Sequence, residues 1–95
     1  MSGRRVTRIE VAHLLELDEG FLAELERNEL VVPDRDGLYD RTAFERARIC
    51  ATMHYALGVN FEGVEVVLHL LERWQDERRR LRETIERLRE ELERG

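Results

Sequence analysis

The side chains of this sequence best suited to metal binding or nucleophilic attack are three histidines, one cysteine and one serine. His13, His54 and His69 stand far apart, with no second His or Cys at the close spacing that lets neighbouring side chains hold one ion. Each therefore reads as a structural or surface residue rather than a ligand or pH switch. Cys50 is solitary, which rules out an internal disulfide. Beside Ile49, Ala51 and Met53 it reads as a small core side chain, in keeping with a reducing compartment. Ser2, the only serine, falls among the first residues, which we expect to fray, and has no base beside it. No glycine-rich phosphate loop appears, and no carboxylate pair sits in an evident cleft. The sequence thus points away from catalysis. No metal, cofactor or small-molecule substrate is expected, and the chemistry left to it is recognition through charge and apolar surface.

The charge is unevenly placed. The net charge is -5 with 16 cationic residues, all of them arginine, against 21 acids. From Ile9 to Glu29 the acids are Glu10, Glu16, Asp18, Glu19, Glu24, Glu26 and Glu29, with Arg27 as the only full cation. A protein that grips a phosphate backbone needs clustered cations, and this stretch would set like charges together instead. An acidic face of this kind is often merely solvated. Here Glu19, Glu24 and Glu26 are the candidate contacts to a partner, with Arg27 available to an acidic group on it. Asp18 is better explained as a helix cap.

These residues must be positioned by short helices. A chain of 95 residues with 39% charged and 42% hydrophobic content reads as folded and helix-rich. It is also short enough that oligomerisation should add stability. Met1-Ser2-Gly3-Arg4-Arg5-Val6 has no apolar run behind it, and no stretch approaches a membrane span, so a soluble, cytoplasmic protein is expected. Thr7-Arg8-Ile9-Glu10 has the form of a capping box and predicts a helix over Arg8 to Leu15, with Ile9, Ala12 and Leu15 or their neighbours facing inward. Asp18 caps a second helix over Glu19 to Asn28, with Leu17 placed to staple onto Leu22. Two short helices this close form a helix-turn-helix. Leu30-Val31-Val32-Pro33 and Leu38-Tyr39 flank Asp34-Arg35-Asp36-Gly37, which reads as a small two-stranded wing around an Asp-Gly turn.

Asp40 caps a third helix whose Ala43, Phe44, Ala47, Cys50, Ala51, His54 and Leu57 share one face until Gly58 permits a left-handed stop. Phe21, Phe44, Tyr55 and Phe61 are read as core between these helices. Asn60 caps the last helix, whose buried face starts with Val64, Val67, Leu68 and Leu71 and which meets no Gly or Pro before Gly95. It either continues unbroken to Arg94 or bends near Trp74. Its tail fits a heptad: Leu71, Arg78, Ile85 and Leu92 at one core position, Trp74, Leu81 and Leu88 at the other. Asp76 with Arg80, Glu83 with Arg87 and Glu90 with Arg94 support the exposed face. A helix with one apolar stripe needs a partner, and a second copy of the chain is the simplest. Leu71, Trp74, Leu81, Ile85, Leu88 and Leu92 are therefore the expected dimer seam, parallel or antiparallel. The expected division is a head over residues 1–71 and a coiled-coil helix over residues 72–95.

This order of helix-turn-helix, wing, helix pair and terminal coiled-coil helix resembles the MerR superfamily of regulators. The resemblance rests on Leu22, Leu30 and Pro33, on Gly37 with Tyr39-Asp40, on Arg46 and Arg48, and on Leu57-Gly58-Val59 before the last helix. It implies an all-α, MerR-like winged helix-turn-helix with a small two-stranded wing and a long C-terminal coiled-coil dimerisation helix. DNA-binding members present arginines and a tyrosine from the second helix. At the corresponding positions this sequence has Gly20, Ala23 and Glu24.

The same departures mark the CbpM-type chaperone modulators, a branch that is similar in Leu57-Gly58-Val59-Asn60-Phe61-Glu62-Gly63-Val64 and in the charged helix that follows. That resemblance implies a regulator binding the J-domain of a DnaJ-like or CbpA-like co-chaperone and inhibiting its engagement of Hsp70. A J-domain presents a basic surface there, which an acidic partner would complement. The alternative implied by the wider superfamily is a transcriptional regulator binding operator DNA through Arg35 and Arg41, joined by Arg4, Arg5 and Arg8.

Overall fold

A computed structural model describes residues 4–95; Ser2 lies outside them. The elements in order are α1 (Arg8–Leu15), α2 (Glu19–Arg27), α3 (Arg41–Ala51), a π-turn (Thr52–Ala56) and α4 (Phe61–Arg94). Among the described residues no helix is long and apolar enough to cross a membrane. The chain divides into two compact units, Met1–Val64 and Glu65–Gly95.

Side chains at the helix starts satisfy the backbone donors that a first turn leaves free. The Thr7 hydroxyl accepts from Glu10 N at 3.1 Å, and Thr7 N donates to the Glu10 carboxylate at 2.8 Å, completing the capping box. The Thr7 N–H holds the Glu10 carboxyl below the usual carboxylate range. Asp18 accepts from Gly20 N, Asp40 from Ala43 N and Asn60 from Gly63 N. Gly63 has a second reason to be glycine, since a Cβ there would lie 2.7 Å from Val59. Gly58 stops the preceding segment at φ 70°, in the left-handed region.

The buried apolar side chains of the first unit are Val6, Val11, Phe21, Leu22, Leu25, Leu30, Val31, Tyr39, Ala43, Ala47, Cys50, Met53 and Val64. The inward face of α1 centres on Val11, a neighbour of the expected Ala12 and fully buried; Ala12 and Leu15 are half-buried, and only Ile9, 66% exposed, departs from the expected set. With so short a helix, one buried position suffices, and the apolar residues around it are free to face outward.

The expected two-stranded wing carries no strand ladder. Leu30 N and Val31 N both donate to Leu25 O, at 2.9 and 3.4 Å, closing the end of α2. Leu30 O accepts from Arg46 Nε at 2.8 Å. Pro33 has no N–H to offer. With its polar groups so committed, Leu30-Val31-Val32-Pro33 cannot pair as a strand. What survives is a tight turn built on Asp34, whose N donates to Leu38 O at 2.8 Å and whose O accepts from Gly37 N at 2.8 Å. Its carboxylate accepts from Asp36 N and Leu38 N, at 2.9 and 3.0 Å. Tyr39 pairs instead with Val6, in an isolated antiparallel bridge of 3.0 and 2.7 Å.

The face expected of the third helix also slips. Beyond Ala51 the bonding widens, and Leu57 N donates to Thr52 O at 3.2 Å, five residues back. The wider turn rotates the following residues off the helical register. Leu57 and Tyr55, both read as inward, are 68% and 59% exposed.

In the second unit α4 runs on as one helix through Trp74, without the bend that was the other option. Its ion pairs close one residue sooner than expected, Asp76 with Arg79 at 2.7 Å and Glu86 with Arg89 at 3.7 Å. Both lie on exposed side chains and contribute little.

Tyr39 is fully buried, and its hydroxyl donates to Glu26 Oε2 at 2.6 Å. Burial first, then the Glu26 carboxylate, hold the phenol above its ordinary range, so it stays a donor. Tyr39→Phe should leave the helical circular dichroism spectrum intact and lower stability by about 1 kcal/mol in urea denaturation. An unchanged midpoint would show that the bond is not holding α2.

Candidate functional site

The start of α1, the body of α2 and the Asp34 turn enclose a cleft of about 340 Å³ lined by Thr7, Arg8, Ile9, Glu19, Glu26, Pro33 and Gly37. Arg8 is one of its lining residues, and as the first residue of α1 after the Thr7 cap it lies against two acids seven residues apart on α2. Arg8 Nε lies 3.5 Å from Glu19 Oε1, and Arg8 Nη1 donates to Glu26 Oε1 at 3.4 Å. Glu26 is thus held from two sides, by Arg8 and by Tyr39. The Nε is shielded from solvent and makes no hydrogen bond, which leaves the Glu19 arm of the network the looser one.

The other cations around α2 are committed in the same way. Arg27 forms an ion pair with Glu24 one turn back, and Asn28 donates to Glu24 O at 2.9 Å. At the turn, Arg5 Nη1 lies 2.8 Å from Asp34 and 3.3 Å from Asp36. Asp34, mainly through the Leu38 N–H and then Arg5, sits below its ordinary range. Arg5 is correspondingly raised, Asp34 first and Asp36 second.

The structure therefore brings Glu19 and Glu26 together around one guanidinium. Glu24 and Arg27 form a separate exposed pair on α2. Arg27 was expected to reach a partner's acid, and within this chain its guanidinium meets Glu24. Arg35 and Arg41 are exposed, and neither makes a hydrogen bond or ion pair among the described residues. Gly20 is exposed and Ala23 half-buried on α2, where they offer no hydrogen-bonding side chain.

The groups with reactive or metal-binding chemistry take other places. His54 is held by Val59 O at 2.9 Å and ringed by Phe21, Tyr55 and Phe61 at 4.9 to 5.4 Å. His13 and His69 are exposed. Among the described residues no three His, Cys, Asp or Glu converge to hold a metal. Burial pushes the Cys50 thiol up to about 11, away from the thiolate that a nucleophile requires.

Sequence reasoning missed Arg8 and Tyr39 as the residues that organise the site. Tyr39 was placed in a wing strand, and its partner Glu26 is brought to it only by the fold. The signal for Arg8 was its place just inside the Thr7 cap, opposite an acidic helix.

Residues 6–90 match the family described as MerR HTH family regulatory protein. No curated protein and no solved structure matches the chain. The match spans the helix-turn-helix, the turn, α3 and nearly all of α4. The chain belongs to the MerR helix-turn-helix family of regulatory proteins.

Proposed function

We propose that this MerR-family chain is a non-enzymatic regulator whose head recognises a basic protein surface in place of DNA. The observation that carries the reading is the commitment of its cations. Arg5, Arg8 and Arg27 are each paired with carboxylates of the chain itself, at Asp34 and Asp36, Glu19 and Glu26, and Glu24. A phosphate approaching α2 or the turn would have to displace these pairs and then face the acids they leave behind. A basic protein surface would meet Glu19 and Glu24 half-exposed on α2, competing with their partners Arg8 and Arg27 and adding attraction to the surrounding acids.

The partner we infer is the J-domain of a DnaJ-like co-chaperone, with the effect of keeping it from Hsp70. The support is the resemblance to CbpM-type modulators at Leu57 to Val64 together with this acidic face. Operator binding, the other function the family could carry, would fall to Arg35, Arg41 and Arg4 alone, since Arg5 and Arg8 are taken.

Dimerisation belongs to the same proposal. Along α4, Trp74, Leu81, Ile85, Leu88 and Leu92 are 48 to 83% exposed, and Leu71 is half-buried. Arg78 interrupts the row and lies over the Trp74 ring at 4.9 Å, where a cation is tolerated beside apolar neighbours. A second α4 would cover the stripe.

Two measurements test this. In calorimetric titration with the J-domain of its own organism, the chain should bind at micromolar affinity that weakens as salt rises. The double variant Glu19→Lys, Glu24→Lys should bind about tenfold or more weakly. Glu26 is left in place because Tyr39 and Arg8 depend on it. Absence of binding, or binding indifferent to the reversal, would contradict the reading. By light scattering the chain should have twice the 11.3 kDa protomer mass. Leu81→Glu with Leu88→Glu should give the single mass, and a wild-type monomer at high micromolar concentration would remove the seam.

A further inference from the structure

A second cleft of the head, of about 220 Å³, is lined by Arg4, Val6, Leu14, Arg41 and Phe44. Its geometry follows from the Val6–Tyr39 bridge. The bridge brings the chain before α1 against the chain before α3, and Arg4 and Arg41 both line the resulting cavity. Two guanidiniums lining one small cavity favour an anion between them.

The chain itself supplies little. Among the described residues neither the Arg4 nor the Arg41 side chain makes a hydrogen bond or ion pair, in contrast to Arg5 with Asp34 and Asp36. The acids nearest in effect are engaged elsewhere. Glu10 accepts from Thr7 N, and Glu45 accepts from Arg48 at 2.9 and 3.3 Å.

The walls below the rim are apolar. Val6 is buried, Phe44 half-buried, and Leu14 59% exposed on α1. A bare inorganic anion would satisfy the arginines and leave Leu14 and Phe44 wet. An uncharged hydrocarbon would cover the walls and leave the guanidiniums facing each other. An anion with a short apolar body does both. The cavity is smaller than the roughly 300–1,000 Å³ of drug-sized sites, which suits one ring or a branched chain.

We propose that this cleft binds a small amphiphilic carboxylate, its carboxylate between Arg4 and Arg41 and its apolar body against Val6, Leu14 and Phe44. The site belongs to the head and is independent of the protein-binding face, so a regulator of this kind would carry an effector pocket beside its partner surface.

The test is an amide chemical-shift titration of the full chain with 3-phenylpropionate, its uncharged amide 3-phenylpropanamide, acetate and inorganic phosphate. Saturable shifts clustered at Val6, Leu14, Arg41 and Phe44 are expected with 3-phenylpropionate. The amide, acetate and phosphate should each bind about tenfold or more weakly. Arg41→Gln, a change at an exposed position, should weaken binding about tenfold while leaving the rest of the spectrum in place. Amide binding equal to the acid would overturn the role of the arginines. Phosphate binding equal to 3-phenylpropionate would reduce the cleft to a bare anion site and overturn the proposal. So would the absence of saturable shifts at these residues.

Discussion

Tyr39 is where the head is tied together. Its backbone takes both hydrogen bonds of the Val6 bridge, and its ring is buried. Its hydroxyl reaches across to Glu26 on α2. One side chain and one pair of backbone bonds thereby anchor the segment before α1, the segment before α3 and the second helix of the helix-turn-helix. A head this small has few apolar residues to bury, so pairing that also fixes orientation matters more than it would in a larger domain. The two clefts described here are the two sides of this arrangement. Tyr39 holds Glu26 for Arg8 on one side, and its bridge to Val6 sets Arg4 beside Arg41 on the other.

The charge pattern shows that a helix-turn-helix can keep its geometry with an acidic outer face on its second helix. The fold needs caps, a buried face on α2 and a closing turn, and all are present. None of these requires a cation on the outer face. With Gly20, Ala23 and Glu24 on α2, Arg5, Arg8 and Arg27 are each paired with acids of the chain itself. The acids of α2 differ in how they are held. Glu26 is partly buried and held from two sides by Arg8 and Tyr39, whereas Glu24 is held by the exposed Arg27 and Asn28.

Local rules were the legible part of the sequence. Thr7 with Glu10, Asp18, Asp40 and Asn60 each cap the helix they precede, and Gly58 takes the left-handed conformation. These depend on residues within one turn of each other, so spacing suffices to read them. The failures come from hydrogen-bond partners that residue spacing does not announce. Leu30 and Val31 look like a strand, but α2 captures their N–H groups. The strand-like pairing that does form joins Val6 to Tyr39, distant in sequence, where no pattern announces it. Periodicity extended the third helix to Leu57 because it assumes a constant turn, and the π-turn at Thr52 changes the register. At the candidate site the acids were visible as composition. Their partners Arg8 and Tyr39 were not, because only folding decides which cation an acid meets.

The central proposal is that pairing of Arg5, Arg8 and Arg27 with the chain's own acids leaves Arg4, Arg35 and Arg41 too few to grip a phosphate backbone beside an acidic α2. Fluorescence anisotropy of a labelled, mixed-sequence DNA duplex at low salt tests it most directly, since sequence-independent phosphate contacts are strongest there. The account predicts no rise in anisotropy up to high micromolar protein. Micromolar association whose affinity falls steeply with added salt, the signature of several phosphate contacts, would contradict it.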